Sequence, residues 1–429
     1  MVARKAVNEA GQAENLLRLL LARISASTKR MHEGKVTYLI GNNGTGKSRM
    51  LGELADRLGE TKPARTVACI ASSIHDRFRF TDSRRVRYLG ARNAPNAVFL
   101  AAVDRQMIRF ILQAMQNDRR LLSQLCQAVK MDFSFLVGDG VEKQVADWFR
   151  QRDEQGSIRG KSKTHRVLLQ QRYLGMLGRI RGTGRFEALT YAQIDTLLRY
   201  LDLNIDITLN IRLADDDVLN FRDLSTGEQN RALLFAKVLS AMEESTVFLI
   251  DEPEISLHLH WQMDFHRTLM DLLSNLKRFH VVIATHAPIL ISEAAKSDPD
   301  TGRNVVAVLQ RQLAKGEVAG DHRPGSTPVT YACHTFSEVA SHEHLVLRYF
   351  HTAPYHAHEV SAQIADAVLR VAEDGKSREG ATKLLLEIRE AVGVSDEAKV
   401  QIDSALELIR DRLVPSIQRV LRPSARERA

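Results

Sequence analysis

A short β-branched and apolar run, Val36 to Ile40, ends in Gly41-Asn42-Asn43-Gly44-Thr45-Gly46-Lys47-Ser48. Apolar residues then recur at helical spacing: Met50, Leu51, Leu54 and Leu58. A buried strand running through a glycine loop into a helix commits a chain to an α/β core. The glycines let several backbone N–H groups turn inward, and the following helix adds its positive dipole end. Such a loop cradles phosphate. Lys47 is placed to reach a β- or γ-phosphate, and the Ser48 hydroxyl is placed to ligate a cation.

Two further patterns follow far downstream. Leu224-Ser225-Thr226-Gly227-Glu228-Gln229 precedes a helix that Gly227 opens. The serine hydroxyl and the N–H groups of a helix start make an anion site, and an ordinary helix cap has the same local spelling. One helix later, Val247-Phe248-Leu249-Ile250 runs into Asp251 and Glu252. Asp251, at the end of a buried strand, suits a metal held through water. Glu252, one residue further out, suits the orientation of an attacking water. Glu254 and His258 lie just beyond and suit either the same site or a surface contact. His286 follows the next apolar strand, His280 to Ala284. A polar residue at the carboxyl end of a parallel strand points to the ligand crevice.

These four matches, in this order, resemble the ABC-type ATPases: Walker A at 41–48, the signature at 224–229, Walker B at 247–252 and the switch histidine at 286. The resemblance implies a P-loop NTPase head that binds ATP with Mg²⁺. It implies nucleotide contacts from residues 41–48 and Arg49, metal ligation by Ser48 and Asp251, and catalytic roles for Lys47, Glu252 and His286. It also implies a head-to-tail homodimer in which Ser225, Gly227 and Glu228 complete the partner's site. The spelling Ser-Thr-Gly-Glu and the run Asp251-Glu252-Pro253-Glu254 are similar to the RecF-, overcoming-lysogenization-defect- and SMC-like branch. Within it the chain resembles the ATPase subunits of bacterial anti-phage systems such as Septu and the retron-linked ATPases. That branch implies a separate effector nuclease and a DNA or RNA partner. A DNA-repair or chromosome-maintenance ATPase shares the same motifs. A transporter's nucleotide-binding subunit fits the signature spelling poorly. The region after Thr66 to Ala71 offers no clear Q-loop glutamine.

The rest of the 429 residues divides around these motifs. The first half of the core is expected over 1–95, a helical insertion over 96–205, the second half over 206–330, and a helical C-terminal region over 331–429. The expected fold is α/β with a mostly parallel sheet. Residues 75–94 are polar and arginine-rich with a turn around Gly90 to Pro95, and 310–330 read as a loop. Two basic clusters stand out, Arg77 to Arg92 and Arg150 to Arg185, in a chain of net charge +8. Such a balance favours polyanion partners. Cys69, Cys126 and Cys333 are far apart, each expected as a small buried hydrophobe in a reducing cytoplasm. No stretch is apolar enough to cross a bilayer. Asp215 to Asp217 and the histidines at 342, 344, 351, 356 and 358 match no nuclease spacing, and the histidines read as a surface helix.

Overall fold

The computed structural model describes residues 2–26, 33–61, 65–80, 83, 85–92, 103–138, 143, 147, 150, 174–181, 184–201, 206–212, 217–298, 303–311, 329–339, 345, 358–373, 377–390, 394 and 396–411. The histidines at 342 to 356, Asp215, Asp216 and most of the second basic cluster lie outside them. The chain is an α/β protein whose contacts divide it into two units. The larger comprises Leu17–Thr37 and Ser48–Thr285, and the smaller Met1–Leu16, Tyr38–Lys47 and His286–Ala429.

In the larger unit the hydrogen-bonded strand order is β1 (Glu33–Gly41), β8 (Arg278–Thr285), β7 (Val247–Asp251), β2 (Val67–Ala71) and β3 (Val86–Leu89). β2 runs parallel to both β3 and β7, and β7 parallel to β8. Every residue of β2 and β7 is buried. A parallel strand covered on both faces must be apolar along its whole length, which is why these strands do not alternate. The register sets Ala71 opposite Asp251, and Asp251 opposite Ala284. The carboxyl ends of three strands therefore lie side by side. α2 (Lys47–Glu60) leaves the glycine loop, α6 (Thr226–Ser240) precedes β7, and α7 (Leu259–Leu273) joins β7 to β8.

The stretch read as a helical insertion contains α3 (Val103–Asn117), α4 (Arg120–Val129) and α5 (Tyr191–Leu201). It also contains a strand the sequence reading missed, β4 (Asp132–Val137). β4 pairs antiparallel with β5 (Ile207–Arg212), and β5 with β6 (Val218–Asn220). Phe133, Phe135 and Val137 alternate inward along it. With only six residues, that signal is too short to stand out beside long helical stripes. β3 was missed for a related reason, since it is four residues inside an arginine-rich stretch.

The smaller unit takes up the end of β1, which continues beside β9 (Val305–Arg311). β9 forms an antiparallel pair with β10 (Val329–Thr335), a strand not expected from the sequence. α8 (Pro288–Ser297) belongs to the same unit. Beyond it, α9 (His358–Glu373), α10 (Arg378–Arg389) and α11 (Asp396–Asp411) pack around their own core of Val360, Ile364, Leu385, Ile388, Ile402 and Ile409. Each of these helices presents apolar residues at three- and four-residue spacing, so three such faces can bury one another. Among the described residues no helix is long and apolar enough to cross a membrane. Cys69 is buried as expected, but Cys126 is half-buried and Cys333 is exposed on β10.

Candidate nucleotide site

The phosphate loop is built on two glycines with left-handed backbone, Gly44 at φ 78° and Gly46 at φ 91°. Gly41 is needed for a different reason. A β-carbon there would lie 2.3 Å from the Leu309 carbonyl oxygen and 2.9 Å from Thr45 Oγ1. Thr45 ties the loop to itself, donating through Oγ1 to the Asn42 carbonyl at 2.9 Å. The buried Lys47 donates from Nζ to the carbonyls of Gly41 (2.7 Å) and Asn42 (3.2 Å). Its ammonium is thus held over the loop. Asn42, Asn43, Gly44 and Gly46 are exposed. Arg49, also exposed, pairs with Glu53 one helical turn on, at 3.0 Å.

Ser48 and Asp251 are separated by 203 residues, and the Ser48 hydroxyl donates to Asp251 Oδ1 at 3.0 Å. Asp251 ends β7 and is buried. A hydroxyl and a carboxylate form the hard oxygen donor set that suits Mg²⁺, an ion that keeps several of its waters. Glu252 follows in a left-handed conformation, φ 48°, and its N–H bonds the Ala284 carbonyl at 2.8 Å. A non-glycine residue at positive φ stores strain that the surrounding structure must hold. Here the bond to β8 does so, and it turns the chain sharply just past the acidic strand. Glu254 is buried and accepts a hydrogen bond from Thr285 Oγ1 at 2.7 Å. That bond fastens the turn after β7 to the end of β8. His286 is the next residue in the chain and is exposed. His258 caps the N-terminus of α7 and is exposed too.

The signature residues sit at the start of α6 in a complete capping box. Ser225 Oγ accepts from the Glu228 N–H, while Glu228 Oε2 accepts from the Ser225 N–H (2.9 Å) and hydroxyl (2.7 Å). Gly227 faces the turn after β7. A β-carbon there would come within 2.6 Å of the Ser256 carbonyl and 3.2 Å of the Trp261 ring. Ser256 is itself left-handed, φ 62°. Gln229 secures the other side of the loop by donating to the Leu224 carbonyl at 2.8 Å. Behind it, Arg231 lies over Trp261, 5.1 Å from the ring centroid, and donates to the Ala128 carbonyl at 2.7 Å.

Sequence reading overlooked two buried groups of the larger unit. Lys237 is buried on α6 and donates to the Ala71 carbonyl at 2.9 Å. Burial pushes its pKa down to about 8, against the pull of Asp76. The signal was a lone charge within the apolar run Leu233 to Leu239. His280, on β8, shares a hydrogen bond of 3.2 Å with Thr37 Oγ1. Burial, reinforced by Arg23, Lys35 and Arg65, pushes its pKa down to about 3 and keeps it neutral.

Residues 179–292 match the family model described as "AAA domain, putative AbiEii toxin, Type IV TA system". The matched stretch takes in the signature, the acidic strand and His286 and begins after the phosphate loop. Protein ea59 of Escherichia phage lambda is 34% identical over 74 residues, which are 17% of this chain and 14% of that protein's length. Among solved structures, a "putative metal-chelate type ABC transporter" in an inward-facing conformation aligns with a TM-score of 0.25 and 13% identity, over 70% of this chain and 86% of that one. The Smc head domain of Pyrococcus furiosus, bound to the C-terminal domain of ScpA, aligns with a TM-score of 0.27 and 11% identity, over 71% and 91%. Both likenesses are too weak to carry an argument. The strand–loop–helix cradle meets the matched AAA segment at the Ser48–Asp251 pair, an arrangement suited to nucleotide phosphate and a divalent cation.

Proposed function

We propose that the chain hydrolyses ATP between two copies of itself and that the closed pair handles nucleic acid in anti-phage defence, controlling a separate effector nuclease. The observation that carries the ATPase half is the 3.0 Å bond between Ser48 and Asp251, which joins the phosphate loop's last residue to the end of the acidic strand. In this reading Lys47 and the N–H groups of residues 41–46 hold the phosphates. Ser48 and Asp251 would hold Mg²⁺, which when bound neutralises charge on the β- and γ-phosphates. Glu252 takes a proton from water as its oxygen attacks the γ-phosphorus, and the bond to the β–γ bridging oxygen breaks to leave ADP and phosphate. His286 contacts the γ-phosphate. Ser225 and Gly227 of the partner close the site.

The nucleic-acid half rests on the net charge of +8, the exposed arginines and the spelling of the motifs. The family description of the matched segment, with its toxin and toxin–antitoxin wording, favours a defence setting over repair. The segment 96–205 is proposed as the part that senses the partner. A DNA-repair or chromosome ATPase is the second reading, favoured by the same motif spelling. Measuring ATP turnover with and without DNA or RNA at low salt tests the proposal. Stimulation of several-fold is expected. Unchanged turnover together with no binding would remove nucleic acid from the mechanism.

A further inference from the structure

The arginines between residues 75 and 94 form one cluster in the sequence, and the fold divides them. Arg92 turns inward: its Nη2 donates to Asp76 Oδ1 (2.7 Å) and the Phe78 carbonyl (2.6 Å), and its guanidinium lies 5.0 Å from the Tyr88 ring centroid. Arg87 donates to the Ser240 carbonyl at 2.8 Å. Asp76 is buried and also accepts from the Phe78 N–H (3.1 Å) and the Tyr88 hydroxyl (2.8 Å). These bonds fix the backbone of the loop that leaves β2. Along it Asp76 and Phe78 are buried, while His75, Arg77 and Arg79 are exposed. Phe80 comes next, 41% exposed, its ring tilted against Tyr88 at 5.1 Å.

Two further observations say what this rim meets. Arg79 is paired with Asp56 at 3.0 Å, but its side chain is 78% exposed, and such pairs are worth little and yield to a phosphate at small cost. The loop starts directly after Ala71, which the register sets opposite Asp251. The rim therefore stands at the carboxyl edge of the parallel strands, where α/β sheets take ligands. Two exposed arginines next to an exposed aromatic residue in the chain, on a hydrogen-bonded loop, are the components that track a phosphate backbone and stack a base.

We infer that Arg77, Arg79 and Phe80 form a contact surface for single-stranded nucleic acid, placed where its occupancy reaches Asp251 through the β2–β7 pairing. This deepens the nucleic-acid reading and rests on it. The test is fluorescence polarisation of a labelled single-stranded oligonucleotide with the full chain at several salt concentrations. Each arginine that meets a phosphate contributes about 0.7 to the slope of log K against log salt. Replacing both (Arg77→Ala with Arg79→Ala) should therefore lower the slope by about 1.4. Phe80→Ala should weaken binding at least about fivefold while leaving the slope unchanged. Arg370→Ala removes an exposed arginine paired with Asp366 on α9 and should change neither quantity. Unfolding midpoints check that each variant is folded. A double arginine variant that is folded and keeps the wild-type slope overturns this surface while leaving the nucleic-acid reading standing. A wild-type chain that binds no oligonucleotide at low salt overturns both.

Discussion

Lys47 shows at the residue scale how one side chain links local folding to chemistry. Its ammonium is buried yet held by two loop carbonyls, so the loop's shape and the lysine's position depend on each other. Lys47→Ala is expected to abolish nucleotide binding, read by titration with a fluorescent ATP analogue, with little change in helical content. His280 gives a prediction about pH. Its folded pKa lies near 3, below the usual value of 6.5, so between these pH values the unfolded chain binds a proton the folded chain does not. Stability attributable to this group is complete above pH 6.5 and declines as pH falls toward 3, by up to about 1.4 kcal/mol per pH unit. Urea midpoints measured from pH 7 to pH 4.5 should fall less steeply for His280→Val than for the wild type. Parallel slopes would show that the imidazole is not held neutral in the fold.

At the scale of elements, the start of α6 and the turn after β7 are fitted to each other. Gly227 approaches Ser256 so closely that a side chain would meet a backbone carbonyl, which has no rotamer by which to move aside. Gly227→Ala should therefore displace the helix start or the turn. ATP binding should persist and turnover should drop at least tenfold, as steady-state kinetics would reveal; unchanged turnover would show that the turn gives way freely. Much of this level was legible in the sequence. The apolar runs of β2, β7 and β8 and the stripe of α2 are long or pure enough to read, and Gly227 marks the start of α6. β3, β4 and β10 were not legible. They are short or partly exposed strands, stabilised by the neighbours they pair with more than by their own composition.

The whole molecule, in our reading, is one half of an ATP-driven clamp. If so, Glu252→Gln should bind ATP, lose hydrolysis by about 10²- to 10⁴-fold and elute as a dimer with ATP and Mg²⁺ but not with ADP. Light scattering after gel filtration measures this, and a monomer in both states would argue against the clamp. Read along the chain alone, the residues establish that the core is α/β, that a glycine loop precedes a helix, and that an acidic pair closes a buried strand. Periodicity, glycine and isolated charge are properties a linear chain displays directly. Only the tertiary structure decided that Ser48 meets Asp251, that Lys237 is buried against the Ala71 carbonyl, and which arginines of one cluster turn inward. Those outcomes depend on strand order and register, which bring together residues as far as 203 positions apart. No local preference encodes such a distance; it is set by the burial of β2, β7 and β8 in a single sheet.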